Sequence, residues 1–286
     1  MKRLFIVKII TALVVCLLTI TSVGCTSNEK TIRVCASELP HADILNNCVK
    51  EILKLKGYKL EVSVLNWTLQ NDGVANKDYD ANYFQHTKYL STYEGDIKLF
   101  ATCKVHYEPL GIYYGKEKKE LKDGKTFVIC DDESNAIRAL KLLVEKGVIE
   151  KAPITEDNKL AFMGNSWISD NDIKITLISE ELLVPSMSDY DFALLPCNTA
   201  YTGNVSDDKL VDRESDLELI SQNANVLAAR ESDYQNDSNY KKKIDVLTDV
   251  LLSKEVRDYV LNKYGSIIIC DDRSQIDLRK QYIHMD

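Results

Sequence analysis

The first readable pattern begins at residue 31, where a short apolar run, residues 31–35, predicts a buried strand. Ser37-Glu38-Leu39-Pro40-His41 predicts a turn. Over residues 42–56, Ile44, Leu45, Cys48, Ile52 and Leu55 recur at helical spacing, and Gly57 supplies a helix stop. Leu60, Val62 and Val64 then alternate with Glu61 and Ser63, the period of a strand. A β-α-β opening is the beginning of an open parallel sheet.

Residues 80–89, Asp-Ala-Asn-Tyr-Phe-Gln-His-Thr-Lys-Tyr, set aromatic rings beside amides. Apolar faces next to fixed hydrogen-bonding groups suit a pocket for a small amphipathic ligand; the alternative is an aromatic strand end packed in a core. Further on, residues 97–103 predict a strand and the charged residues 115–124 a surface connection. Residues 127–130 restart the pattern as a strand. Residues 131–135 form a turn, and a helix over 136–146 is capped by Ser134 or Asn135 and closed by Gly147. This second β-α start after a polar linker predicts a second lobe. Residues 150–174 are polar and irregular around Trp167. Strands are expected at 175–178, 191–195 and 226–229, amphipathic helices at 240–252 and 254–264, and a last short strand at 267–270, after Gly265. No internal repeat is evident. The fold class is α/β.

The N-terminus changes the picture. Lys2, Arg3 and Lys8 precede an apolar run over 9–20 and then Thr-Ser-Val-Gly-Cys at 21–25. That is the layout of a secretory signal, with the run too short for a comfortable membrane span. Small residues directly before a cysteine resemble a bacterial lipobox, although Ser22 stands where leucine is usual. Residues 1–24 are therefore expected to be removed. Cys25 would be lipidated at the head of a tether, 25–30, and two acyl chains suffice for stable anchoring. Cleavage removes three positive charges and takes the net charge from −8 to −11. An acidic body argues against nucleic acid and against a polybasic membrane contact. Cys35, Cys48, Cys103, Cys130, Cys197 and Cys270 form no C-x-x-C pair, and several sit inside apolar runs, so buried free thiols are expected.

Catalytic signatures are missing: there is no G-x-S-x-G, G-x-G-x-x-G or Walker-type loop. The cluster Asp131-Asp132-Glu133 suits a helix N-terminus better than a cation. His86, His106 and Glu108 have no metal-ligand spacing, so neither metal nor cofactor is expected. Arg138 is the informative charge. It lies one helical turn past the strand end at 130, near the crevice where open α/β sheets bind ligands, and a guanidinium there can grip a carboxylate. Asn198 and Asn225 lie near other strand ends and could complete a polar rim.

Taken together, Asp80-Ala-Asn-Tyr-Phe-Gln-His86 with Tyr89, Lys104-Val-His-x-Glu-Pro-Leu-Gly111 and Ser134-Asn-x-x-Arg-Ala-Leu140 resemble the NlpA-type lipoproteins, the methionine-binding receptors of bacterial ABC importers. Ser37-x-x-Pro-His-Ala-Asp-Ile-Leu45 and Glu255-Val-x-x-Tyr-Val-x-x-Lys-Tyr-Gly265 agree. The resemblance implies a two-lobed periplasmic-binding-protein fold of type II, with a ligand cleft between lobes 31–108 plus 226–286 and 109–225. It implies that Phe84, His86 and Tyr89 line a side-chain pocket, that Arg138 holds the ligand carboxylate, and that Asn198 and Asn225 bind its polar end. Its implied partners are a free amino acid, ABC permease and ATPase subunits, and the bilayer through Cys25. Catalysis is not implied.

There are departures from the family pattern. Trp67-Thr68 stands where a tyrosine is usual, one residue is missing before Asp80, Pro196-Cys197 replaces Asn-Gly, and residues 177–188 match poorly. Thr68 could leave room in the pocket unless Trp67 fills it. These changes bear on ligand identity, relaxing it toward D-methionine or a methionine dipeptide. The rival reading is a surface lipoprotein that keeps the fold for adhesion. If Cys25 carries the anchor, Cys25→Ala releases the protein from the membrane or leaves its precursor uncleaved, as fractionation and intact-mass measurement would show. Normal processing and retention would refute the anchor.

Overall fold

The computed structural model describes residues 30–215 and 222–281; the signal, Cys25 and most of the tether lie outside the described residues. The chain opens with β1 (Thr31–Ala36), wide helical turns leading into α1 (Lys50–Leu55), β2 (Lys59–Val64), α2 (Trp67–Ala75), β3 (Ala81–His86), α3 (Thr87–Leu90) and β4 (Leu99–His106). It then crosses to β5 (Leu110–Tyr114), β6 (Thr126–Cys130), α4 (Glu133–Glu145), β7 (Ser166–Ile168), β8 (Lys174–Ile178), α5 (Glu180–Ser186), β9 (Phe192–Pro196), α6 (Cys197–Thr202) and β10 (Leu210–Arg213). It returns through β11 (Asn225–Arg230), α7 (Glu231–Asn236), α8 (Ser238–Leu251), α9 (Lys254–Tyr264) and β12 (Ile276–Asp277).

These strands form two six-stranded mixed sheets, ordered β12-β4-β11-β3-β1-β2 and β10-β5-β9-β6-β8-β7. The two share a plan. In each, a first strand (β1, β6) lies between two parallel partners (β2 and β3; β8 and β9), and the strand laid down right after a crossing (β11, β5) adds antiparallel. The central strands β3 and β11 are buried at all six positions, which is why they read as continuous runs without alternation. One core gathers Ile32, Val34, Leu53, Ile244, Leu247 and Val260 on the first sheet. The other packs Leu140, Leu143 and Ile175 around the stacked rings of Phe127 and Phe192, 5.3 Å apart. Each such side chain contributes roughly 1.5–3 kcal/mol by leaving water.

The structure corrects several expectations. The 37–41 segment enters a helical turn, Glu38–Ala42, instead of an open turn. The 97–103 strand runs on to His106. The helix after β6 begins at Glu133, and its cap is Asp132, whose Oδ1 accepts from the amides of Ser134 and Asn135 at 3.1 and 3.2 Å. Ser134 and Asn135 are thus the capped residues. At 267–270 there is only a bridge, Ile269 exchanging two hydrogen bonds with Tyr107 at 2.8 and 2.9 Å, because a tight turn at Gly265–Ile267 uses up the chain first. The glycine stops hold: Gly57 and Gly147 adopt φ of 79° and 69°, where a side chain would be strained. All six described cysteines are free, five of them buried and Cys48 partly so. No described helix is long and apolar enough to cross a membrane.

Removing the α4 cap leaves two amides without an acceptor. Asp132→Ala should lower stability by about 1 kcal/mol in urea denaturation, whereas Ser134→Ala should lower it little. The opposite order would return the cap to Ser134.

Candidate functional site: a cleft between two sheets

Ligand sites in open α/β sheets form beyond the carboxyl ends of the parallel strands. Here those ends come from both sheets and face one another. The segments after β1, β2 and β3 meet those after β6, β8 and β9, and together they enclose a cavity of about 620 Å³. Phe84, His86, Tyr89, Arg138, Asn198 and Asn225 all line it.

The aromatic wall centres on Tyr89. Its ring packs edge-on against Phe84 at 5.8 Å, His86 at 6.4 Å and Trp67 at 5.2 Å. His86 Nδ1 accepts from the Tyr89 amide at 3.1 Å, so its Nε2–H is the donor to Asn135 Oδ1 at 3.2 Å, across the cleft. Burial, and next the Arg138 charge, lower the His86 pKa to about 3, which keeps the ring neutral. Asn82 and Gln85 turn the other way: their amides interlock with Asn71 of α2 at 2.7–3.1 Å and hold the strand in place. Trp67 lines the cavity, and Thr68 does not. The Thr68 amide and hydroxyl instead bond Asn66 Oδ1 at 3.0 and 2.9 Å, capping α2. The room at position 68 is therefore taken by Trp67, whose Nε1–H reaches Glu181 of the opposite lobe at 3.3 Å.

Arg138 is not a surface residue: it is 7% exposed and pairs with Glu214, which is 3% exposed. Nε donates to Glu214 at 2.7 and 3.0 Å, and Nη2 bonds Glu214, the Tyr107 hydroxyl and the Glu108 carbonyl. None of the recorded bonds of Arg138 uses Nη1. Burial pushes the Glu214 carboxyl up, but the guanidinium beside it holds it below the usual carboxylate range. The Leu110 amide completes its shell at 2.8 Å. Sequence reasoning missed Glu214. It lies 76 residues from Arg138 in a polar stretch, with no periodicity to mark it.

Asn225 opens β11 between His86 on one neighbouring strand and His106 on the other. Its Oδ1 meets Nε2 of the fully buried His41 at 3.1 Å, another residue outside the expected set. Asn198, at the start of α6, has its Oδ1 buried with no partner. Among the described residues, the one grouping of possible metal ligands is His41, His106 and Glu108, within 4.8 Å; His86 is not part of it. Hydrogen bonds already engage these groups. The Tyr83 hydroxyl donates to His106 Nδ1, and His106 Nε2–H donates to Glu108 Oε1 at 2.8 Å. The trio works as a support for the Glu108 carboxylate.

Two α/β lobes joined by two crossings, with an enclosed amphipathic cleft between them, define a substrate-binding protein of the periplasmic type. The chain matches the NlpA lipoprotein family over residues 32–269 and belongs to it. This is a family of transporter binding proteins and not of enzymes. The chain is 31% identical to the methionine-binding lipoprotein MetQ of Bacillus subtilis, over 86% of this chain and 90% of that one. Among solved structures it is similar to a Coxiella burnetii ABC-transporter periplasmic substrate-binding protein (TM-score 0.70, 26% identity, 84% of this chain and 100% of that one). It is also similar to a Burkholderia cenocepacia nutrient-binding protein bound to methionine (TM-score 0.71, 25% identity, 84% of this chain and 99% of that one).

Breaking a buried ion pair by removing one partner leaves an uncompensated charge. Arg138→Ala should therefore cost about 3–5 kcal/mol of folding stability in urea denaturation, before any ligand is considered. A loss under about 1 kcal/mol would mean that water reaches the pair.

Proposed function

We propose that this protein is a lipid-anchored receptor that binds methionine or a close relative (D-methionine, a methionine dipeptide) in its cleft and delivers it to an ABC permease and its ATPase. The lobes in this reading are residues 31–108 with 226–286, and residues 109–225, a division supported by how the strands are shared between the sheets. The anchor is Cys25, supported by the lipoprotein family. The observation that carries the reading is a set of unfilled hydrogen-bonding groups on residues that line an aromatic-walled cleft. Nε and Nη2 of Arg138 carry its hydrogen bonds to the protein, which leaves Nη1 as a charged donor, and Oδ1 of Asn198 is a buried acceptor with no partner. A zwitterion supplies the complement to both, a carboxylate and an ammonium. Between them, Phe84, His86, Tyr89 and Trp67 offer ring faces and edges, on which an unbranched thioether packs well.

In this role Arg138 and Glu214 act as a unit. Glu214 fixes the guanidinium, and the ligand carboxylate takes the remaining edge. The methionine-binding relatives support methionine as the ligand class, and Trp67 supports a side-chain pocket closed at the point where Thr68 is small. Calorimetry on ligand-stripped protein with L-methionine, D-methionine and a methionine dipeptide tests the reading. Binding by at least one is expected. Arg138→Lys, which keeps a charge for Glu214 but lacks the fork, should weaken it at least about tenfold, or 1.4 kcal/mol. Absence of binding to every methionine compound would overturn the function. An unchanged affinity in Arg138→Lys would remove Arg138 from the ligand.

A further inference from the structure

We infer that Glu108 of the first crossing and Glu180 of α5 form a carboxyl pair that receives the ligand's ammonium group between the lobes. This rests on the amino-acid reading of the cleft and identifies the charge partner of the ligand's amine. Both glutamates line the cavity, one from each side. The positive charge of Arg138 is already balanced by Glu214, so it does not neutralise them. Glu108 is steadied by His106 Nε2–H at 2.8 Å, by the Asn225 side chain and by His41 Nε2 at 3.5 Å. Glu180 Oε1 accepts from the Thr199 hydroxyl at 2.7 Å, and no bond is recorded at its Oε2. Next to Thr199 stands Asn198, with its unpartnered Oδ1. The amine end of the cavity is thus rich in acceptors, and an ammonium brings three donors and a positive charge. A neutral donor would meet some of these acceptors but would bring no charge to balance the carboxylates.

Titration supports the same assignment. Burial raises Glu108 to about 7 against the attraction of His41 and Arg138. Burial also raises Glu180 to about 7, opposed by the Thr199 hydrogen bond and reinforced by the like charges of Asp132, Glu108 and Glu181. Near neutral pH the empty pair retains part of a proton, bound as a carboxylic acid. When the ammonium arrives, that proton leaves to the solvent and both groups ionise.

The test is calorimetry of L-methionine near pH 7 in two buffers of different ionisation enthalpy. A fractional proton release is expected for the wild type and a smaller one in Glu180→Gln. That variant should weaken L-methionine at least tenfold more than it weakens the des-amino analogue 4-(methylthio)butanoate. Equal effects on the two compounds, or proton release unchanged by the substitution, would overturn the pair. Failure of the wild type to bind any methionine compound would overturn the function instead, and the pair is then judged on the empty protein. A carboxyl raised from about 4.3 in the unfolded chain to about 7 in the fold stabilises the protein in acid, and that stability is lost as pH rises through 7. The melting temperature of Glu180→Gln and of Glu108→Gln should therefore decline less than that of the wild type between pH 5 and 8. Parallel profiles would refute the pair.

Discussion

The buried ion pair of Arg138 and Glu214 is the constraint on which the two-lobed arrangement turns. Tyr107 and Leu110 flank the first crossing between the sheets, and Glu214 opens the return. The Tyr107 hydroxyl and the Leu110 amide donate to the Glu214 carboxylate, which in turn accepts from the guanidinium that projects from α4. Two charges taken out of water lose several kcal/mol each, and a pair offsets that loss only when the remaining lone pairs and protons are also met. Here the Tyr107 hydroxyl, the Leu110 amide and the Glu108 carbonyl meet them. A buried salt bridge of this kind is weak evidence of stability. It is stronger evidence of position, because it fixes both crossing segments against one helix and presents a single edge of the guanidinium to the cavity.

The shared strand order explains why the cleft is built mostly from short segments after strands. Each sheet points the carboxyl ends of three parallel strands at the other, and each segment that follows carries one or two polar groups. Trp67, His86 and Tyr89 come from one side, and Asn135, Glu180 and Asn198 from the other. Burial on this face keeps the histidines neutral: His41 is lowered to about 4, His86 and His106 to about 3. Rings that stay uncharged near neutral pH can offer hydrogen bonds to the cavity without adding charge to it.

Much of this was legible in the sequence where a period exists. Helices α8 and α9 and strands β1, β6 and β8 were visible because apolar positions recur at 3.6 or run on without interruption. Helix α2 was not, and the reason is physical. Its buried positions include Gln70, Asn71 and Gly73; the Gln70 carbonyl and the Asn71 side chain accept from Asn82 of β3, and the helix has no apolar stripe. Strand β10 and helices α5 and α6 are four to seven residues long, too short to establish a period. Of the six expected pocket residues, Phe84, His86, Tyr89 and Arg138 came from motifs within single segments, and Asn198 and Asn225 from their place near strand ends. Glu214 stood in no motif and His41 in one without a role, because their partners lie 76 and 184 residues away and only the folded crossings bring them together. Glu108 stood in a quoted motif but without a role, since its meaning depends on His106 and Asn225 beside it.

Closure of such a cleft depends on how little already holds the lobes together. Across the mouth, Asn66 and Trp67 share one oxygen of Glu181 at 3.1 and 3.3 Å, His86 meets Asn135 at 3.2 Å, and Tyr201 packs edge-on against Tyr264 at 5.8 Å. Hydrogen bonds of this kind contribute about 0.5–1.5 kcal/mol each, and less where solvent competes. Together they amount to a few kcal/mol, comparable to the order that would be lost on opening. A ligand that touches both walls can therefore decide the balance, since it shifts the equilibrium by the difference in its affinity for the two states. A ligand held only by the aromatic wall of the first lobe would bind without that leverage. On the proposed reading, the polar groups of the second lobe, Arg138 and Asn198 above all, are where binding would become closure.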